Sequence, residues 1–357
     1  MTKKKRILIG MSGGIDSTVA AILLLEQGCE LVGATFRTFD VNTCQNKEKG
    51  CCSEDSITEA QQMAARLGFE HHILDFRNTF RKHVIDNFVQ EYACGRTPNP
   101  CVMCNSHIKW GKLMEAANQF GCDYIATGHY AQIVNYRGHF YLKNAVDTQK
   151  DQTYFLWMLT EENLRKTIFP LGGLTKTEVR QIALEHGFEK LSKKAESQDI
   201  CFIPNNDYHS FLQQQGVQVQ PGEYIDADGK VLGMHQGYCY YTIGQRKGLG
   251  IALGSPKFVT KIDAIHNRVT LGEREDLLTC EATVEQVRLR DTAWLRNSPE
   301  VEARIRYKSP AVHAVINHSL SNSELTIHFT SPVWGVTPGQ SLVLYKDGLV
   351  IGGGIIK

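Results

Sequence analysis

Ser12-Gly13-Gly14-Ile15-Asp16-Ser17 is the stretch that decides the fold. It stands between an apolar run, Ile7 to Met11, and an amphipathic run, Val19 to Leu25. The order is strand, glycine-rich turn, helix. Two adjacent glycines and two flanking hydroxyls at a helix N-terminus make a phosphate cradle. Backbone N–H groups point outward, the helix dipole favours negative charge, and glycine lets an oxygen come close. The Gly-x-x-x-x-Gly-Lys-Ser/Thr pattern is absent. A cradle without that lysine suits a pyrophosphate better than a transferred γ-phosphate, which hints at adenylation and not at kinase or ATPase chemistry. An ordinary βα turn of small residues is the plain alternative.

Outward from that stretch, 357 residues exceed what one core organises, so two or three domains are expected. A hydrophobic share of 42% with 22% charged residues is that of a globular protein, and no apolar stretch approaches membrane-spanning length. Met1 to Arg6 is basic but runs into a short strand and not a secretory apolar region, so the expected location is cytoplasmic. Eleven cysteines in such a compartment read as buried thiols, metal ligands or redox chemistry. A net charge of +1 neither announces nor excludes nucleic acid. Basic residues cluster at Lys143 and Lys150, Lys190 to Lys194, Arg246-Lys247, Arg288 and Arg290, and Arg304 to Lys308. Solvated edges are the plain reading of each.

Strand-like runs at Ile7–Met11, Leu31–Phe36, His72–Phe76 and Tyr124–His129 alternate with helical periodicity at Ile15–Gln27, Ser53–Leu67, Thr79–Ala93 and Ile108–Phe120. This predicts an α/β domain over 1–204, with a parallel sheet covered on both faces. Ligands of such sheets sit beyond the C-terminal strand ends, where the glycine-rich turn, Phe36 and Gly128 fall. A small central β domain (205–278) and a C-terminal β-barrel (279–357) are expected to follow. The barrel strands are read at Ala282–Val287, Glu302–Tyr307, Ala311–Asn317, Glu324–Phe329 and Ser341–Tyr345.

Thr97-Pro98-Asn99-Pro100-Cys101-Val102-Met103-Cys104-Asn105 is a second constellation. Its two prolines predict a stiff extended loop that presents Cys101 and Cys104 just before helix Ile108–Phe120. A Cys-x-x-Cys spacing is open between a redox pair, half a metal site and chance. Cys201 stands alone downstream, and sequence distance does not place it. Cys44, Cys51 and Cys52 lie in a polar loop without a clean fourth ligand and read as structural. Cys29, Cys94, Cys122, Cys239 and Cys280 flank apolar residues and read as core packing. His129 reads as a satisfied buried histidine, and Asp16 as a helix-start charge or a group that positions magnesium and nucleotide.

The hexapeptide resembles the pyrophosphate loop of the ATP-pyrophosphatase superfamily. Nearly end to end, the chain resembles the tRNA-specific 2-thiouridylase family. The matching motifs include Gly10 to Ser17, the Asn-Pro-x-x-x-Cys-Asn loop, Ala126-Thr127-Gly128-His129-Tyr130 and Lys150 to Leu156. Glu196 to Ile203, His235-Gln236-Gly237, Thr242 to Gly250 and Thr337-Pro338-Gly339-Gln340 complete the match. The resemblance implies ATP-dependent adenylation of the wobble uridine at its carbon-2 oxygen, then sulfur transfer, with release of AMP and pyrophosphate. It implies ATP binding by Gly10, Met11, Ser12, Gly13, Gly14, Ile15, Asp16, Ser17, Phe36 and Gly128, with Mg2+ on the phosphates. Asn99, Pro100 and Cys101 would approach the target base. Lys150, Asp151, Gln152, Arg306 and Tyr307 would contact tRNA. Cys104 matches the nucleophile and Cys201 the persulfide carrier, with a Cys104–Cys201 disulfide as the product of each turnover. The implied sulfur donor is a cysteine desulfurase or a relay carrier.

One departure stands out. Many family members carry aspartate where this chain has Cys101. Either another group or water takes the proton role there, or Cys101, Cys104 and Cys201 form a three-thiolate set for a [4Fe–4S] cluster. Two rival readings remain. An ATP-dependent ligase of the argininosuccinate or guanylate synthetase type would explain the glycine-rich loop and leave the thiols idle. A non-catalytic tRNA-binding protein would retain the fold alone.

Overall fold

The computed structural model describes residues 4–39, 54–194, 200–203, 207–316 and 324–357. Cys44, Cys51 and Cys52 lie outside the described residues. No helix among those described is long and apolar enough to cross a membrane. The chain divides into two compact units. The first comprises Met1–Val84, Cys101–Asn206 and Gly348–Val350, and the second comprises Ile85–Pro100, Asp207–Asp347 and Ile351–Lys357.

The first unit is built on β1 (Arg6–Gly10), α1 (Ile15–Glu26), β2 (Glu30–Arg37), α2 (Glu54–Leu67) and β3 (Glu70–Asp75). Next come α3 (Arg77–Phe80), then α4 (Asp86–Ala93), which belongs to the second unit, and α5 (Pro100–Cys104) and α6 (Leu113–Gln119). These join through two π-helical stretches, Arg81–Ile85 between α3 and α4 and Asn105–Lys112 between α5 and α6. β4 (Tyr124–Ala126), β5 (Gln132–Tyr136), β6 (His139–Lys143), α7 (Glu161–Arg165), β7 (Thr167–Ile168) and α8 (Lys176–Glu185) follow. The sheet order is β3-β2-β1-β4-β7, parallel throughout. Ile7, Ile9 and Ala126 pack with Val19, Ile22, Ala60 and Val179, so α1, α2 and α8 share that face. Leu8 and Ile125, on the opposite pleat, are also fully buried, and α6 lies against β1 and β4. Both faces are covered, which is why these strands read as apolar runs and not as alternation.

Two expectations are corrected here, and one element was missed. The cysteine segment is extended only through Asn99; from Pro100 it is helix. Proline at the first helical position lacks an N–H that the helix would leave unpaired anyway, so Pro100 starts this helix instead of forbidding it. The strand expected over Tyr124–His129 stops at Ala126. The β5–β6 hairpin, which turns on Arg137 and Gly138 at positive φ, went unread; its Leu142 and Lys143 pair with Val350 and Leu349.

The second unit holds a four-stranded sheet, β8 (Gly222–Ile225), β9 (Val231–His235), β10 (Phe258–Asp263) and β11 (Arg268–Gly272), ordered β10-β11-β8-β9. β12 (Leu278–Leu289), β13 (Glu300–Arg304), β14 (Val312–Ile316), β15 (Glu324–Trp334), β16 (Ser341–Lys346) and β17 (Leu349–Ile356) run β12-β15-β14-β13-β16-β17. β12 also pairs with β17, which closes these six strands into a barrel. Cys94 and Cys280 are exposed, against the expectation of core packing. Cys94 follows the end of α4. Cys280 sits where the β12–β15 register breaks between Thr279 and Glu281, before the inward alternation begins at Ala282.

Candidate active site

The cradle is made from backbone held by short-range bonds. Gly14 caps α1 in an extended conformation and offers no side chain, which leaves the first helical N–H groups open to an anion. Gly13 at φ +68° turns the chain. Ser17 Oγ donates to the Gly14 carbonyl at 3.1 Å and accepts from the Ser12 N–H at 3.2 Å, so the loop closes on itself. Thr35 Oγ1 donates to the Met11 carbonyl at 2.8 Å, which ties the loop to β2. Phe36 lies over Gly10, since a β-carbon there would meet its Cζ at 3.6 Å. Gly128 presses on the helix start from the end of β4. A β-carbon on it would fall 2.7 Å from the Asp16 carbonyl carbon and 2.8 Å from the Ser17 nitrogen. Gly128 is therefore glycine for steric reasons at this contact.

Two residues that the sequence reading missed complete the cradle. Lys176, only 8% exposed, bonds Asp16 Oδ1 through Nζ at 2.7 Å, and the Tyr130 hydroxyl donates to the same oxygen at 2.9 Å. A signal for Lys176 was present. Thr175 and Glu178 form a capping box that starts α8, which puts a lysine at the positive end of a helix dipole. That placement is unfavourable unless an anion answers it.

Cys104 ends α5 and Cys101 lies one position past Pro100; Cys104 and Cys201 are half-buried and Cys101 is exposed. No sequence pattern joins Cys104 to Cys201, but packing does so indirectly. Phe202 meets Phe80 edge-on at 5.6 Å between centroids, and α3, which carries Phe80, packs on the π-helical stretch that begins directly after Cys104. His83 and His107, one from each π-helical stretch, stack at 4.3 Å and 14°. Such stretches recur at functional positions. Buried Asn105 anchors the helix by donating to the Phe155 carbonyl at 3.0 Å. Among the described residues no three His, Cys, Asp or Glu side chains are arranged to hold a metal ion.

His129 is buried beside this helix. Lys109 donates to its Nε2 at 3.2 Å, which assigns the ring proton to Nδ1 and its bond to Thr127 Oγ1 at 2.7 Å. Burial, reinforced by the Lys109 charge, holds its pKa well below the usual histidine range, so it is neutral. Asp151 is buried, accepting from the Ala145 N–H at 2.6 Å and from the Thr153 N–H and hydroxyl. Gln152 accepts from the Tyr130 N–H at 2.9 Å. Of the 150–152 trio, Lys150 is half-exposed and the other two shape the loop.

In the second unit, Gln340 donates to the Thr97 and Pro98 carbonyls at 2.9 and 3.0 Å, and the Thr97 N–H reaches the Pro338 carbonyl at 2.8 Å. The Thr337–Gln340 motif thus holds the segment that leads into Asn99. Arg306 is exposed and Tyr307 half-exposed, in the turn after β13 and not within the strand expected over Glu302–Tyr307.

A parallel sheet with this cradle at its C-terminal edge defines a HUP-domain protein of the pyrophosphate-loop class. Three family models match: the tRNA methyl transferase HUP domain over residues 5–205, the tRNA methyl transferase PRC-barrel domain over 209–273 and the Aminomethyltransferase beta-barrel domain over 283–356. The chain is 45% identical over 364 residues to the tRNA-specific 2-thiouridylase MnmA of Cytophaga hutchinsonii, covering 100% of this chain and 98% of that one. It is 46% identical to the protein of the same name from Amoebophilus asiaticus (99% and 96% covered) and 44% identical to that of Clostridium perfringens (100% and 99%). The chain belongs to the tRNA-specific 2-thiouridylase family.

Proposed function

We propose that this protein uses ATP to replace the carbon-2 oxygen of a tRNA wobble uridine by sulfur. The observation that carries the reading is the uncapped N-terminus of α1, backed by buried Lys176, in the same unit as Cys104 and Cys201. In this reading Gly10 to Ser17 and Lys176 hold the phosphates, with Phe36 at the adenine and Gly128 beside the nucleotide. Mg2+ takes most of its ligands from phosphate and water, so one carboxylate, Asp16, is a sufficient protein partner. When bound, the ion supplies charge stabilisation to the phosphates.

Uracil oxygen is a poor leaving group, and AMP on that oxygen makes it a good one. A persulfide on Cys201 attacks carbon 2 and AMP leaves. The Cys104 thiolate then attacks Cys201 Sγ; the S–S bond breaks, its electron pair stays with the sulfur on the base, and a Cys104–Cys201 disulfide forms. An external thiol reduces that disulfide, and a desulfurase or relay carrier reloads Cys201. Cys101 is exposed to solvent, so water serves where other family members carry aspartate. Lys150 to Gln152, Asn99 to Cys101 and Arg306-Tyr307 are the proposed tRNA contacts. The base must leave its stack to reach the site.

The test is reconstitution with tRNA, ATP and a persulfide donor, followed by nucleoside mass spectrometry. Wild-type protein forms 2-thiouridine. Cys104→Ala forms none, yet still exchanges pyrophosphate with ATP in the presence of tRNA. A ligase would keep turning over in that variant, and a non-catalytic binder would show no exchange at all.

A further inference from the structure

Trp334, at the end of β15, gathers positive charge. The Arg306 guanidinium lies 5.2 Å from its ring centroid and that of Arg274 lies 5.9 Å away. Both arginines are exposed, and among the described residues neither guanidinium has a carboxylate partner. Two like charges held over one ring repel each other, and the indole face offsets part of that cost. The ring is placed by packing. Phe258 meets it edge-on at 5.9 Å, and Gly244 passes so close that a β-carbon would fall 3.0 Å from Cη2. The indole N–H has no hydrogen-bond partner among the described residues, so no bond from that atom fixes the ring.

The neighbouring backbone extends the same surface. The Gly244 N–H donates to the Val259 carbonyl at 2.8 Å and the Val259 N–H to the Gln245 carbonyl at 2.9 Å. This pairing sets Arg246 and Lys257 at the edges of a cleft of about 480 Å³, lined also by Gly248, Gly250 and Ser255. Lys257 is answered by Glu273 and adds no net charge. Arg246 and Lys247 are exposed, as is Lys308 beyond Arg306.

The geometry points to a tRNA-backbone grip centred on Trp334, with Arg274 and Arg306 as phosphate ligands and Arg246 at the adjoining cleft. A guanidinium with its face on a ring keeps its N–H edge free for the two oxygens of a phosphate. This deepens the tRNA reading above and rests on it. Trp334 is a positioning residue: it holds the cations and touches no reacting atom.

Labelled, unmodified tRNA titrated with the full-length protein at several salt concentrations is the test, read by fluorescence anisotropy. Arg274→Gln is expected to weaken binding about 3- to 10-fold at low salt and to flatten the plot of log affinity against log salt by about one unit. Trp334→Leu is expected to reproduce the combined loss of Arg274→Gln and Arg306→Gln, while Trp334→Phe retains most of the affinity. A change of slope separates a lost phosphate contact from general damage to the fold. Arg274→Gln with wild-type affinity and slope overturns the grip. Wild-type protein that shows the expected slopes but forms no 2-thiouridine overturns the catalytic reading and leaves the grip in place.

Discussion

The phosphate cradle and the thiol site are built by different means. The bonds that close the cradle loop on itself join residues within five positions, such as Ser12 with Ser17 and Gly14 with Ser17 and Thr18, while Thr35 ties Met11 to β2 and Lys176 and Tyr130 hold Asp16. The thiol site draws on helix 100–119 and on residues 200–203, related through Phe80 and Phe202. A locally closed loop tolerates change elsewhere and fails only when its backbone is displaced. A site related through ring packing fails by degrees as the packing loosens. Damage to the cradle should therefore remove adenylation and thiolation together, whereas damage to the packing should uncouple them.

Gly128→Ala tests the first half most severely. The new β-carbon lands on the Asp16–Ser17 backbone, and overpacking of this kind costs about 3 kcal/mol. Adenylation, read as ATP–pyrophosphate exchange, should fall about 100-fold, with thiolation falling equally. Exchange at the wild-type rate would show that the cradle is not held from outside.

Lys176→Met should act next. It leaves Asp16 with the Tyr130 hydroxyl alone, at a cost of about 2 kcal/mol for a charge-assisted bond to a partly exposed carboxylate. A lower unfolding midpoint together with weaker pyrophosphate inhibition is expected. A stability loss without any change in pyrophosphate affinity would make Lys176 purely structural.

Acid should weaken the first unit through His129. Burial depresses its pKa in the folded state below the ordinary 6.5, so beneath that pH the unfolded chain binds a proton that the folded chain refuses. The stabilisation is complete above pH 6.5 and is lost as pH falls toward the depressed value, by up to about 1.4 kcal/mol per pH unit. Half-buried His71 and buried His235 shift in the same direction. Denaturant midpoints measured across that window should slope less steeply for His129→Gln than for wild type.

Phe202→Leu is the mildest change and the sharpest probe of the contrast. Loss of an edge-on ring contact costs about 1 kcal/mol. Thiolation should drop about 5-fold while pyrophosphate exchange stays at the wild-type rate. An equal drop in both would mean that the two regions are one rigid site.

The parallel sheet bar β7, the glycine-rich loop, the six barrel strands bar β17 and the start of α1 were legible because each is written in contiguous residues. Alternating apolar runs, a glycine pair and turn residues are all local signals. The helix start at Pro100 was misread because the same proline that breaks a helix interior favours its first position, and only the flanking geometry separates the two. The π-helical stretches carry no periodicity of their own that a sequence displays. Asp151 looked like a surface contact and is buried by the loop it organises.

Sequence alone determined that a strand meets a helix through a pair of glycines, and that two thiols recur in a helix-leading pair with a third far downstream. Tertiary structure decided what completes them: Lys176 under Asp16, Gly128 against the helix start, Phe202 on Phe80, and two arginines over Trp334. The physical reason is range. Backbone conformation and helix dipoles act over a few residues and leave their mark in the local order of amino acids, whereas burial and ring packing join positions whose separation along the chain encodes nothing about their distance in space.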